Sequence, residues 1–287
     1  MRTLVATDLS DAADEALRQA AALAGPSGAL AAIHVLPSLH SVASLFPQRH
    51  AADGFDVARV HLQAVDALQQ RVSRECGRHA DIFVTEGADS TEIVRRAEAW
   101  HADTIVVGSH GQGGLSRVLG SVAERVVRNA PCRVLVARAR PASARGGVLA
   151  ATDLSEPALP AVTAAAAEAR RRGVGLKVAH AVGFLQSESL YLFERRSPLT
   201  YLVDDLHDPA HNRLRTLMRK AGVDAEDLIL DGLAANAVVR CAGESGAELV
   251  VVGASGRAGL KRLVVGSVAE KIVRSAPCSV LVVRMDA

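Results

Sequence analysis

The 287-residue chain is poor in aromatic residues, and its charges of opposite sign almost cancel. Aromatic residues make up 3% of the sequence, whereas hydrophobic residues as a whole make up 49%. The core must therefore be built from Ala, Val and Leu, which suits closely packed layers of helix and sheet. Lys and Arg number 33 against 31 Asp and Glu, so the net charge of +2 gives no electrostatic basis for binding nucleic acid or an anionic membrane.

The sequence also lacks membrane spans, export signals and metal-binding cysteine motifs. No stretch approaches the ~18 uninterrupted apolar residues of a membrane span. The first residues turn acidic by Asp8 without the apolar run of a signal peptide. The four cysteines have no CxxC or zinc-site spacing, and Cys132 and Cys278 are interpreted as buried, inert thiols. We therefore expect a cytoplasmic protein with no membrane or nucleic-acid partner.

The same sequence pattern occurs twice. The segment VATDLS at Val5–Ser10 recurs as AATDLS at Ala150–Ser155, an offset of 145 positions (153 − 8) between the two aspartates. The halves also share the endings GSVAERVVRNAPCRVLVAR and GSVAEKIVRSAPCSVLVVR. Between them, ARARPASARGG at Ala137–Gly147 has the composition of an exposed linker. We predict two tandem domains, at residues 1–140 and 145–287, rather than a short-period solenoid.

Within each half, short apolar runs alternate with amphipathic segments. Runs such as TLVAT, ALAAIHVL and DTIVVGS predict buried strands, and one long helix is expected from Val57 to about Cys76. The hydroxyls of Ser10 and Ser90 are expected to cap the amino termini of two other helices. We predict an α/β fold in each half, with a doubly wound parallel sheet covered by helices on both faces.

A glycine-rich loop follows the fourth predicted strand of each half. The second loop has the spacing G-x2-G-x9-G-S, formed by Gly253, Gly256, Gly266 and Ser267. The first loop is one residue shorter, and its corresponding residues are Gly108, Gly111, Gly120 and Ser121. A glycine–serine pair at the start of a helix offers backbone N–H groups, a hydroxyl and the positive end of the helix dipole, which together favour a phosphate. Glycines that only permit tight turns and a serine that only caps a helix satisfy the same spacing.

These motifs resemble those of the universal stress protein (UspA) family, in particular a tandem member with two such domains. The resemblance covers nearly the whole chain and rests on ATDLS, the glycine loop and the shared GSVAE…APC ending. It implies a five-stranded parallel sheet in the order 3-2-1-4-5 in each domain. It also implies that the two domains pair within the chain about a pseudo-twofold axis, and it leaves a further homodimer open.

Many members of this family bind ATP, so the resemblance implies a stress-response protein that binds ATP, with or without Mg²⁺, or a related adenine nucleotide. The glycine-loop residues would then contact the phosphates. The residues implied beside the adenosine moiety are Asp8 and Asp153, and those implied near the base are Val35 and Ala181. Candidate donors to a phosphate or ribose, at matching loop positions, are His110 and Ser255. The full nine-residue spacing favours the second half as the stronger site.

No pattern in the sequence predicts catalysis. The phosphate-binding motif GxxxxGK[ST] is missing, and Ser267 has no evident histidine partner to activate it. His207 and His211 have an i,i+4 spacing that suits zinc on a helix, but Pro209 disfavours a regular helix there, so no metal is predicted. We expect a nucleotide-responsive regulator, and a slow ATP-hydrolysing enzyme and a nucleotide-free interaction scaffold stay open as alternatives.

Overall fold

The computed structural model of the chain describes residues 1–38, 57–109, 119–139, 146–183, 199–254 and 265–284, with only the backbone at residues 57 and 199–206. The chain forms two compact units, unit 1 at Met1–Arg138 and unit 2 at Ala139–Ala287. Strands and helices alternate along both units, so the predicted α/β fold is confirmed.

Unit 1 is built on five parallel strands. Its elements are β1 (Arg2–Ala6), α1 (Asp14–Ala24), β2 (Ala29–Leu36), α2 (Val57–Cys76), β3 (Asp81–Glu86), α3 (Asp89–Ala99), β4 (Thr104–Gly108), α4 (Ser121–Asn129) and β5 (Arg133–Ala137). The strands pair in the order β3-β2-β1-β4-β5. The chain thus fills one side of β1 and then crosses to the other, which makes the β1/β4 boundary the switch point of the sheet.

Unit 2 repeats this plan. Its elements are β6 (Val148–Ala151), α5 (Leu159–Arg172), β7 (Leu176–Val182), α6 (Leu199–Lys220), β8 (Glu226–Asp231), α7 (Ala234–Glu244), β9 (Leu249–Gly253), α8 (Ser267–Ser275) and β10 (Ser279–Val283). The strands pair in the order β8-β7-β6-β9-β10, again all parallel, with the switch point between β6 and β9. The pseudo-twofold relation of the two units stays a prediction.

Small aliphatic side chains fill the core, as the composition indicates. On the central strands of unit 1, Leu4, Val5 and Ile105 are completely buried, and so is Leu17 of α1. Near-continuous apolar strands of this kind are typical of a parallel sheet that is covered on both faces.

The structure corrects three expectations about helices. Ser10 caps no helix with its side chain, because its hydroxyl donates to Oδ1 of Asp8 instead. Helix α3 begins at Asp89, and Ser90 lies buried inside its first turn rather than at the cap position. Helix α6 continues through Pro209, contrary to the prediction. Its residues beyond the proline pack into the core, with Leu214 completely buried, and such packing outweighs the helix-breaking tendency of proline.

Candidate functional site

The turn after β1 holds its aspartate in place with local hydrogen bonds. The backbone N–H of Leu9 donates to Oγ1 of Thr7 (3.0 Å). The backbone N–H and the hydroxyl of Ser10 both donate to Oδ1 of Asp8, at 3.0 and 2.5 Å. Leu9 adopts a left-handed conformation, with φ of 63°, which folds the chain back over these acceptors. The carboxylate of Asp8 is therefore fixed before any ligand arrives.

Unit 2 builds the same turn after β6. The backbone N–H of Leu154, at φ 65°, donates to Oγ1 of Thr152 (3.0 Å), and Ser155 donates twice to Oδ1 of Asp153, at 3.0 and 2.5 Å. The two turns agree because the sequence ATDLS is identical and every bond spans two residues or fewer. The same local hydrogen bonds therefore hold both aspartates.

The turns are tied to the neighbouring strands β2 and β7. Thr7 extends the pairing of β1 by donating its N–H to the carbonyl of Ile33 (3.0 Å). Nδ1 of His34 lies 2.9 Å from the carbonyl oxygen of Thr7, and Nδ1 of His180 lies 2.8 Å from that of Thr152. The next residue after each histidine is a predicted base-side residue, Val35 or Ala181. The predicted nucleoside contacts are thus held beside the aspartate turns.

The ends of each glycine loop are joined by a backbone hydrogen bond. Gly108 ends β4, and the N–H of Gly120 donates to the carbonyl of Ser109 (2.9 Å) before α4 begins. In unit 2, Gly253 ends β9, and the N–H of Gly266 donates to the carbonyl of Ala254 (2.7 Å). Both loops therefore leave and re-enter the fold at one place.

Each loop leads into the amino terminus of a helix whose N-cap residue is a glycine. Gly120 and Gly266 occupy the N-cap positions of α4 and α8, and a glycine has no side chain that could cap the first N–H groups of the helix. Ser121 and Ser267 are the first helical residues and are exposed, so the prediction that Ser267 opens a helix is confirmed. The N–H groups at such a terminus are suited to an anion.

The strand order brings these features together. Ala6 at the end of β1 pairs with Val107 of β4, and Ala151 at the end of β6 pairs with Val252 of β9. The predicted site residues of the described chain therefore lie at the carboxyl ends of neighbouring strands: Asp8, Val35, Gly108, Gly120 and Ser121 in unit 1, and Asp153, Ala181, Gly253, Gly266 and Ser267 in unit 2. The other four predicted residues, His110, Gly111, Ser255 and Gly256, lie outside the described residues.

Unit 1 adds an ion-pair network that sequence reasoning did not identify. Nε of Arg71, in α2, donates to Oδ1 of Asp14 (2.5 Å), and Nη1 donates to the carbonyl of Leu9 in the aspartate turn (2.5 Å). Arg71 also forms an ion pair with Asp11. Nη2 of Arg74 lies 3.2 Å from Oδ2 of Asp14. The hydrogen bond from Arg71 holds the pKa of the Asp14 carboxyl below its usual value. The network ties the Asp8-bearing turn to α2.

Unit 2 has apolar residues at the matching positions. The 145-residue offset of the ATDLS turns puts Leu159 in the place of Asp14. In the long helices, the buried residues Ala64, Leu68 and Val72 match Ala210, Leu214 and Met218, an offset of 146 (210 − 64). This offset puts the buried Leu217 in the place of Arg71. The turn that carries Asp153 therefore lacks the arginine that reaches the turn of unit 1.

The two histidines considered for zinc contact aspartates of the edge strand. Nε2 of His207 lies 2.9 Å from Oδ1 of Asp231, and Nδ1 of His211 lies 2.8 Å from Oδ2 of Asp227. Within the described ranges, no group of three or more His, Cys, Asp or Glu side chains is arranged for a metal ion. Among the helices that the structure describes, none has both the length and the apolar character needed to cross a membrane.

Comparison with known proteins gives a family for this architecture. The model of the universal stress protein family matches residues 1–138 and 146–284. A universal stress protein of Mycobacterium tuberculosis is 31% identical over 211 residues, covering 71% of this chain and 68% of the relative. One from Methanocaldococcus jannaschii is 34% identical over 86 residues, which are 30% of this chain and 51% of that protein.

A solved structure shares the complete two-unit fold. It is the structure of a functionally unknown protein from Pseudomonas aeruginosa PAO1, which has a TM-score of 0.69 and 20% sequence identity to this chain. The alignment covers 99% of this chain and 92% of the Pseudomonas chain. The fold and the two family-model matches therefore agree. This chain belongs to the universal stress protein family and carries two copies of the family's domain in tandem.

Proposed function

We propose that this universal stress protein binds an adenine nucleotide, such as ATP with or without Mg²⁺, and acts as a regulator. The observation that carries the proposal is the meeting of two features at each switch point. A hydrogen-bonded aspartate follows β1 and β6, and a helix terminus with glycine at its N-cap follows the loop that leaves the adjacent strand, β4 or β9. Ligands of doubly wound sheets bind in the crevice at this point.

The phosphate end of the proposed site is the start of α8 in unit 2 and of α4 in unit 1. A helix begins with N–H groups that have no partner within the helix, and here the N-cap glycine has no side chain to bind them. Phosphate oxygens accept such bonds and are attracted by the positive end of the dipole. In this proposal Gly256 and Gly111 let the loop backbone approach the phosphates, and Ser255 and His110 add donors.

The nucleoside end is the aspartate turn. In each turn Oδ1 already accepts two hydrogen bonds from the following serine, so the carboxylate is oriented without ordering cost on binding. A ribose hydroxyl is a suitable donor to Asp8 or Asp153. The base would then lie towards Val35 or Ala181, one strand farther from the glycine loop.

We propose that binding, rather than turnover, is the function. Ser267 would need a base to become a nucleophile, and Asp153 is assigned to the adenosine side, away from the terminal phosphate. A nucleotide can still change the behaviour of the protein, because a ligand at 100 times its Kd stabilises the folded state by ~2.7 kcal/mol.

The substitution Ser267→Glu tests the phosphate site in unit 2, and Ser121→Glu is its matched variant in unit 1. A carboxylate in the first turn stabilises a helix, so neither variant should melt earlier than the parent. The same charge repels a phosphate, so each variant should lose one ATP-binding event in calorimetry. Parent protein that binds no ATP would support the scaffold alternative. Sustained phosphate release that Ser267→Ala abolishes would support the enzyme.

A further inference from the structure

The two units differ at the carboxyl end of their third strand. In unit 1, Glu92 lies in the first turn of α3 and its side chain is only 16% exposed. The hydroxyl of Thr85 donates to Oε2 of Glu92 (3.3 Å), and Nε and Nη2 of Arg95 donate to the same oxygen, at 3.0 and 2.5 Å. Oε1 accepts no hydrogen bond from the residues that the structure describes. One oxygen of this carboxylate is thus left for another donor.

This carboxylate lies next to the base-side strand of the proposed site. Thr85 pairs with Val35 in the β2–β3 register, and paired parallel strands are about 4.8 Å apart. Beyond the pair, the N–H of Gly87 donates to the carbonyl of Leu36 (3.0 Å). A Cβ at Gly87, where φ is 141°, would lie 3.1 Å from Cγ and 3.6 Å from Oε1 of Glu92, so glycine keeps this corner open.

Unit 2 has apolar residues at the positions that match Thr85 and Glu92. Leu230 pairs with Ala181 where Thr85 pairs with Val35, and the buried Ala237 occupies the place of Glu92. Arg240, which matches Arg95, donates instead to the backbone carbonyl of Asp231 (3.0 Å).

The charge of Glu92 determines what it can recognise. The hydrogen bond from Arg95 holds the pKa of the Glu92 carboxyl below its usual value, so the group is ionised at neutral pH. An ionised carboxylate accepts hydrogen bonds and cannot donate one. It therefore favours a base edge that presents an N–H donor and opposes one that presents a carbonyl oxygen.

We propose that Glu92 makes unit 1 selective for nucleotides whose base carries an exocyclic amino group, whereas unit 2 lacks this selectivity. The inference rests on the proposed function, because it takes Val35 as the base-side residue. Oε1 of Glu92 accepts the amino hydrogen, while Oε2 stays bound to Thr85 and Arg95. The two units thus respond to different sets of nucleotides.

The test compares ATP with purine riboside triphosphate, which lacks the exocyclic amino group and presents no N–H donor on that edge of the base. Calorimetry uses two variants of the full chain. Ser267→Glu blocks the unit 2 site, so that only unit 1 can bind, and Ser121→Glu blocks the unit 1 site, so that only unit 2 can bind. A hydrogen bond to a charged group corresponds to roughly a tenfold preference or more. We expect unit 1 to bind ATP about tenfold more tightly than purine riboside triphosphate and unit 2 to bind both equally. Adding Glu92→Ala to the Ser267→Glu chain should abolish the preference by weakening ATP alone.

Glu92→Gln guards against a folding defect, since it keeps the size and one acceptor oxygen but loses the charge. It should reduce the preference without lowering the melting temperature. If ATP binds and the preference is unchanged in both Glu92 variants, the inference is wrong and the proposed function stands. If the parent binds neither nucleotide, the proposed function fails and the inference fails with it.

Discussion

The pair formed by Asp14 and Arg71 makes a strong prediction about the stability of unit 1. Their side chains are 10% and 16% exposed, so a single substitution leaves a charge with little solvent. Breaking a buried pair costs about 3–5 kcal/mol, and an unsatisfied polar group about 1–3 kcal/mol. Because Arg71 retains some contact with water, we expect Asp14→Leu or Arg71→Leu to lower the free energy of unfolding by about 2–3 kcal/mol.

The double variant Asp14→Leu/Arg71→Leu should recover most of this loss. Replacing both members of a buried pair by apolar residues is often neutral or stabilising. The chain contains its own precedent, because unit 2 has Leu159 and Leu217 at these positions. The hydrogen bond from Arg71 to the carbonyl of Leu9 is not recovered, so the turn that carries Asp8 should stay looser than in the parent.

Fluorescence of Trp100 measures this change in the intact chain. It is the single tryptophan of the sequence, lies in unit 1, and donates its Nε1–H to Asp81 (3.1 Å). Urea titrations of the parent, the two single variants and the double variant complete a double-mutant cycle. Leu217→Ala in unit 2 is the control and should leave the Trp100 transition unchanged. Two results would refute the reasoning. The first is a double variant that is as unstable as the less stable single variant. The second is a free energy of unfolding of the single variants within about 0.5 kcal/mol of the parent, which is the ordinary range for surface substitutions.

Three further predictions concern pH, ligand and backbone. Folding lowers the pKa of Asp14 from 3.8, so its stabilising effect is complete above that value and is lost as the pH falls through the lower folded-state pKa. The free energy of unfolding measured by Trp100 fluorescence should therefore decrease below about pH 4. The decrease should be smaller in the Asp14→Leu/Arg71→Leu variant. ATP should raise the melting temperature while chromatography finds it largely intact after minutes, and rapid release of phosphate would contradict this. Gly146→Ala should destabilise unit 2 by at least about 1–3 kcal/mol, because the added Cβ would lie 1.8 Å from the carbonyl oxygen of Ser245. Unfolding followed by circular dichroism measures this loss. Gly175→Ala is the neutral control, because an added Cβ there has open space around it.

Sequence was sufficient for the order of elements and for the duplication. Apolar periodicity is a local property, so the long helix predicted from Val57 to about Cys76 has those limits in the structure. The two ATDLS turns form identical hydrogen bonds because each bond joins residues at most two positions apart. The start of α8 at Ser267 follows equally from its immediate neighbours.

Local patterns failed where another contact competed for the same group. The hydroxyl of Ser10 is taken by Asp8, and Ser90 is buried inside the first turn of α3. Pro209 lies within a helix whose neighbouring histidines contact aspartates of β8. Propensity is a weak prior that tertiary contacts override, and those contacts come from residues far along the chain.

The sequence distinguished the two units by the length of their glycine loops, and the tertiary structure added differences that lie outside those loops. Arg71 reaches Leu9 across 62 positions of sequence, and no spacing or motif indicates that contact. In the sequence, nothing distinguishes Glu92 from other polar helix residues. In the structure, Glu92 contacts Thr85, which the register of β2 and β3 places beside Val35. A duplicated sequence preserves the local turns in both copies. Apart from the length of the glycine loop, the differences between the copies arise from side chains that meet across elements, and the fold decides which of these meet.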